Sequence, residues 1–183
     1  MNPGTVMIPE ISVDVAEPAW REALPDAEAI SRSGAAAAFA AAAPGPLRGR
    51  PTEAGVRLTG DAEVRRLNAE FRDRDAPTNV LSFPAMDDDD LGRLPPGAPV
   101  NLGDVVVAHG VVVAEARGEG KPLGDHLCHL VVHGMLHLLG FDHVEEADAE
   151  MMERLEADVL AGLGIADPYA DPVAPLSITA RES

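Results

Sequence analysis

Three histidines in the stretch His133-Gly-Met-Leu-His-Leu-Leu-Gly-Phe-Asp-His143 have the types and spacing to do chemistry. On a helix, at about 100° per residue, His133 and His137 leave the same face one turn apart. Two imidazoles so placed can share one cation, each nitrogen about 2.0–2.1 Å from it. The same turn of helix cannot supply a third ligand without strain. Gly140 removes that obstacle, because glycine takes the left-handed conformation that ends a helix and lets His143 swing back. Three neutral imidazoles with a fourth position open describe a catalytic, zinc-type site. His133, His137 and His143 are therefore expected to hold one Zn2+, or another divalent transition metal, per chain.

The spacing His-x3-His-x2-Gly-x2-His is also that of the metzincin proteases, which place a glutamate general base directly after the first histidine. Here that position is Gly134. Without the carboxylate nothing takes the proton from metal-activated water, so peptide hydrolysis is disfavoured. His126 and His129 extend the histidine face, about 20° and 80° round the helix from His137. They are read as partly buried or cleft-lining, with a supporting or substrate-contacting role as the alternative. Asp142 can either orient an imidazole or accept backbone N–H groups of the turn. Cys128 is read as a small buried hydrophobe.

A second constellation lies upstream. Arg65, Arg66, Arg72 and Arg74 put four of the chain's fourteen basic residues within ten positions, just before Asn79-Val-Leu-Ser-Phe-Pro84. A guanidinium fork matches phosphate oxygens bidentately. On spacing alone, pairing with Glu70, Asp73 and Asp75 is the simpler reading. The acidic run from Glu145 to Asp158 is read as a solvated helix face with no chemistry assigned to it.

The elements that must position these residues follow from periodicity and punctuation. A first strand is expected over Val6–Val15, then a helical pattern over Ala19–Ala43 that Pro25 interrupts. A strand at Glu53–Leu58 and a helix at Ala62–Phe71, capped near Asp61, come next. Asn79–Phe83 is a third strand, followed by a long acidic loop through Asp87–Asp90 and Leu94–Pro99. Asn101–Ala108 is a strand buried on both faces. Helices are expected at His109–Glu119, Leu123–Leu139 and Glu145–Leu163, the last with Met151, Leu155, Val159 and Leu163 as its apolar stripe. The order predicts an α+β (mixed α/β) fold, a small mixed sheet of about four strands with helices packed on it. Residues 1–169 are expected to form one domain and 170–183 a disordered tail.

Composition sets the outer bounds. With 183 residues, 46% hydrophobic and 25% charged, the chain reads as a globular protein large enough to bury a core. Aromatic residues make up only 3%, so that core must be aliphatic. One cysteine excludes an intramolecular disulfide and suits a reducing compartment. With no secretory signal pattern and no apolar run near the roughly 20 residues of a membrane span, a cytoplasmic location without membrane partners is expected. A net charge of −17 argues against sequence-blind binding of nucleic acid over the whole surface, though not against a local basic cleft.

The histidine stretch resembles the signature of the YbeY family, bacterial endoribonucleases of ribosomal RNA maturation. Arg72 with Pro77-Thr-Asn-Val-Leu-Ser-Phe-Pro84 is similar to the family's second motif, Leu102-Gly-Asp-Val-Val106 to its third, and Asp167-Pro-Tyr169 to its usual C-terminal ending. The resemblance covers about Val6 to Tyr169. It implies a metal, usually zinc, on His133, His137 and His143, with Arg72 and His133 important for catalysis. It also implies a single-strand-preferring endoribonuclease of 16S ribosomal RNA maturation and small-subunit quality control. Ribosomal RNA, the small ribosomal subunit and its proteins are then the partners, and DNA is not. Asn79 stands where many members have aspartate, so no catalytic role is given to it. The acidic segment 87–99 and the tail beyond Tyr169 fall outside the pattern. Two other readings remain: a non-catalytic ribosome-assembly factor with a structural metal, suited by the acidic surface, and a metal hydrolase of small molecules.

Overall fold

A strand that is apolar at every position needs cover on both faces, and Val105-Val-Val-Ala108 receives it. In a computed structural model that describes residues 7–170, this run ends β4 (Val100–Ala108), an inner strand of a four-stranded sheet. The others are β1 (Glu10–Val15), β2 (Thr52–Thr59) and β3 (Val80–Pro84). Their order is β1-β2-β4-β3, with β1, β2 and β4 parallel and β3 antiparallel to β4. Side chains alternate across the pleat: Val105 and Val107 join the main core, while Val106 joins Val64 and Leu81 on the opposite face. The expected mixed sheet with packed helices is the fold observed.

Seven helices among the described residues surround it: α1 (Ala19–Ala23), α2 (Ala27–Ala42), α3 (Asp61–Arg72), α4 (Asp88–Arg93), α5 (His109–Glu119), α6 (Leu123–Leu138) and α7 (Glu146–Gly162). α2 packs on β1, α6 packs on β3 and β4, and α7 leans on both helices. α3 lies over β3 and β4 on the other face.

Four expectations need correction. The strand expected from Val6 starts at Glu10, and Val6 itself lies outside the described residues, as does the tail from position 171. The acidic segment is not all loop, because Asp87 accepts a hydrogen bond from the Asp90 N–H (2.8 Å) and caps the short α4. Asp61 does not cap its own helix; its carboxylate accepts the Val111 N–H (3.1 Å) in the first turn of α5. The buried face of α7 is Met152, Glu156, Val159 and Leu160, with Met151 and Leu163 exposed. Of the expected stripe, Val159 is buried and Leu155 packs half-buried against the core, while Met152, Glu156 and Leu160 take the places expected for Met151 and Leu163.

One contact sets the depth of α6. A Cβ built on Gly134 would lie 2.6 Å from Val105 Cγ1 and 3.1 Å from Ser82 Oγ. The Ser82 hydroxyl donates to the Gly134 carbonyl (3.1 Å), so helix and sheet meet backbone to side chain. Position 134 therefore faces the sheet, and a metzincin-type glutamate there has no room. Replacing a helical glycine by alanine ordinarily gains about 1 kcal/mol. At Gly134→Ala the overlap costs more, about 2–3 kcal/mol, and the net loss of about 1–2 kcal/mol is expected to lower the midpoint of thermal denaturation by about 2–8 °C.

Candidate metal centre

α6 delivers His133 and His137 one turn apart and then ends abruptly. Gly140 adopts a φ of 93°, the left-handed region that side chains resist. Its N–H donates to the His137 carbonyl (3.0 Å) and the Phe141 N–H to the Leu136 carbonyl (3.1 Å), the paired bonds of a Schellman stop. The reversed chain brings His143 back over the helix end. Asp142 accepts the His143 backbone N–H (2.7 Å), so the second of its two expected roles is the one seen. One ring nitrogen from each of His133, His137 and His143 lies within 4.8 Å of the others.

The donor set fits a cation. His133 donates its Nδ1–H to Glu156 Oε1 (2.6 Å), and His137 donates its Nδ1–H to the Phe141 carbonyl (2.9 Å). In both rings the Nε2 atom is then left with a lone pair. Those two nitrogens face each other at 3.1 Å. Neutral lone pairs at that distance repel, and a shared cation turns the repulsion into ligation. Burial first, then the adjacent His133 and His143, hold the His137 imidazole below its ordinary pKa, which keeps its lone pair free at neutral pH.

Glu156 is the residue that sequence reasoning missed. It sits in the acidic helix to which no chemistry was assigned, yet its side chain is 1% exposed. Besides His133 it accepts hydrogen bonds from His129 Nε2 (2.7 Å) and from the Tyr169 hydroxyl. Burial pushes its carboxyl upwards, but the bonds from His129, His133 and Tyr169 outweigh that and bring it to about 2. Burial and the same carboxylate push the Tyr169 phenol well above its ordinary value. A signal was present: Met152, Val159 and Leu160 fall at helical spacing around Glu156, which is where an acid points inward.

Arg72 comes to the same cleft by another route. α3 stops at Asp73, whose φ of 55° turns the chain, and the Asn68 side chain donates to the Ala76 carbonyl (2.8 Å) to hold the loop. Phe71 meets Phe83 edge to face at 5.3 Å, tying the end of α3 to β3. Arg72 then donates to the Ser82 carbonyl (3.2 Å) and lines an open cleft of about 630 Å3 with Ser82, Pro84 and the three histidines. Arg65 is paired with Asp75 (2.7 Å) and Arg66 with Glu70 (3.2 Å), so the simple reading holds for those two. Arg72 makes no salt bridge among the described residues, and its guanidinium remains available.

The rest of the histidine face is structural in contact. His126 is 6% exposed and its Nε2 pairs with Glu115 (2.8 Å). Glu115 in turn accepts from the Asn79 side chain (3.2 Å). Cys128 is buried against Gly34, and desolvation followed by Asp125 raises its thiol to about 11.

A mixed α/β sheet carrying three convergent imidazoles beside an unpaired arginine has the site architecture of a metal hydrolase. Residues 34–164 match the family model described as Endoribonuclease YbeY. The Endoribonuclease YbeY of Paramagnetospirillum magneticum is 51% identical over 162 residues, spanning 88% of this chain and 96% of that protein. That of Azorhizobium caulinodans is 51% identical over 164 residues, spanning 89% and 98%. A solution structure of TM1509 from Thermotoga maritima matches with a TM-score of 0.48 and 22% identity, over 88% of this chain and 99% of that one. The chain belongs to the Endoribonuclease YbeY family.

Gly140→Ala is expected to cost about 1–2 kcal/mol through its left-handed conformation. Because His143 follows that turn, Co2+ titration of the folded variant should also show weaker binding than in the parent.

Proposed function

We propose that this chain is a metal-dependent endoribonuclease acting on single-stranded segments of ribosomal RNA, with residues 1–169 working as one domain. Family membership supports the endoribonuclease activity. The observation that carries the mechanism is the shared cleft, in which the three-histidine cluster and the unpaired Arg72 face one space. His133, His137 and His143 would hold the metal, and three nitrogen donors with an open position suit Zn2+. When bound, such a cation acts as a Lewis acid on a phosphoryl oxygen and activates water as a nucleophile.

The protein's own groups do the remaining work. The Arg72 fork offers parallel N–H donors to the non-bridging oxygens of a phosphodiester, where charge accumulates as the bond breaks. Its anchoring to the Ser82 carbonyl and the Phe71–Phe83 contact restrict the side chain before substrate arrives. Asp142 and the Gly140 turn keep His143 on the cluster, so the donor set stays convergent. The substrate in cells would be 16S ribosomal RNA on the small subunit, in the cytoplasm. Among the described residues no helix is long and apolar enough to cross a membrane.

Arg72→Ala is expected to retain the metal and lose cleavage of a single-stranded RNA by about 100–1,000-fold. His137→Ala should lose both. Metal content by elemental analysis beside a gel-based cleavage assay separates the two results. Full-rate cleavage by metal-stripped protein would sink the mechanism. The ends of the products report the nucleophile: a 2′,3′-cyclic phosphate means attack by the RNA's own hydroxyl, and its absence means attack by water.

A further inference from the structure

We infer that Glu156 is a positioning residue of the metal centre, held in that role by Tyr169 and His129. The inference rests on the metal reading above and deepens it. A histidine that ligates through Nε2 must carry its proton on Nδ1, and the partner of that proton fixes both tautomer and ring direction. For His133 the partner is Glu156 Oε1 at 2.6 Å. For His137 it is a backbone carbonyl, which no substitution can remove and which carries no net charge. Glu156 is thus the one charged side chain among the described residues that hydrogen-bonds an imidazole ring of the cluster.

Its own surroundings are unusual for a carboxylate. Burying an isolated charge is expensive, and buried acids ordinarily have a lysine or arginine beside them. Among the described residues Glu156 has neither; its partners are His129, His133 and the Tyr169 hydroxyl. Three hydrogen bonds satisfy its oxygens without neutralising it. A cation on the far nitrogen of His133 supplies the missing positive charge through the ring. In return the negative charge makes that nitrogen a better donor.

Tyr169 shows that the arrangement reaches beyond the helices. It lies past the end of α7, and the Asp167 side chain accepts its backbone N–H (2.9 Å), turning the chain inward. Its ring stands edge-on to His129 with centroids 5.6 Å apart, and its hydroxyl reaches the same Glu156 oxygen as His129. The segment that follows α7 therefore closes the back of the site and holds the carboxylate against His133.

Co2+ affinity, read by competition with a chelating dye, and the visible spectrum of the Co2+ form test this without any RNA. Glu156→Gln keeps the shape and removes the charge, and should weaken Co2+ binding about 10–100-fold and shift the spectrum. Tyr169→Phe should weaken binding by a smaller factor in the same direction. Glu153→Gln, exposed on the same helix, should match the parent. Circular dichroism of the metal-free proteins shows whether each variant is folded; if Glu156→Gln is not, Tyr169→Phe decides alone. Parent-like affinity and spectrum in the folded variants would overturn the role given to Glu156. A parent that binds no Co2+ would overturn the metal reading itself, a different result from either.

Discussion

The seating of α6 against the sheet at Gly134 is the constraint on which the rest of the site depends. Because no side chain stands between them, the helix reaches Val105 and Ser82 directly, and the next turn on the open side projects His133 and His137 outward. Ser82 belongs to β3, and its own carbonyl accepts the hydrogen bond from Arg72. One missing Cβ thus sets the height of the histidines and their distance from the arginine together. The aliphatic core, poor in aromatic residues, makes this possible: Val105, Val107, Val131 and Val132 are short enough for close packing between the layers.

The electrostatics of the cleft oppose those of the whole molecule. A chain of net charge −17 repels a polyanion at long range. At physiological salt that repulsion decays over about 8 Å, so a strand that reaches the cleft meets its local groups. There most of the nearby acidic groups are engaged elsewhere. Asp75 and Glu70 are occupied by Arg65 and Arg66, Asp142 by a backbone N–H, and Glu156 is buried behind His133. Lining the cleft are then one guanidinium and three imidazoles, with Asp142, tied by one oxygen to the His143 N–H, as the one acidic side chain among its described lining residues.

Buried and half-buried polar groups concentrate behind the histidine face in two chains, Asn79–Glu115–His126 and His133–Glu156–His129. Each joins a helix to a neighbour through charge-assisted hydrogen bonds, which hold direction better than apolar contacts do. The first ties α6 to α5 and the start of β3. The second ties α6 to α7 and, through Tyr169, to the segment beyond it. Helix α6 is therefore anchored on three sides.

Local chemistry determined much of this protein from the sequence. Histidines four apart on a helical pattern share a face, Gly140 stops that helix, Pro25 divides the first helical stretch, and an all-apolar run becomes an inner strand. Each follows from backbone geometry within a few residues. The tertiary structure alone decided what was distant. Asp61 serves α5 rather than its own helix, and Arg72 makes no salt bridge among the described residues while Arg65 and Arg66 do. Glu156 leaves the solvated face on which its acidic surroundings placed it. A charged side chain reads as exposed because burial alone is costly. Only the fold brings His129, His133 and Tyr169 to Glu156, and their hydrogen bonds offset that cost.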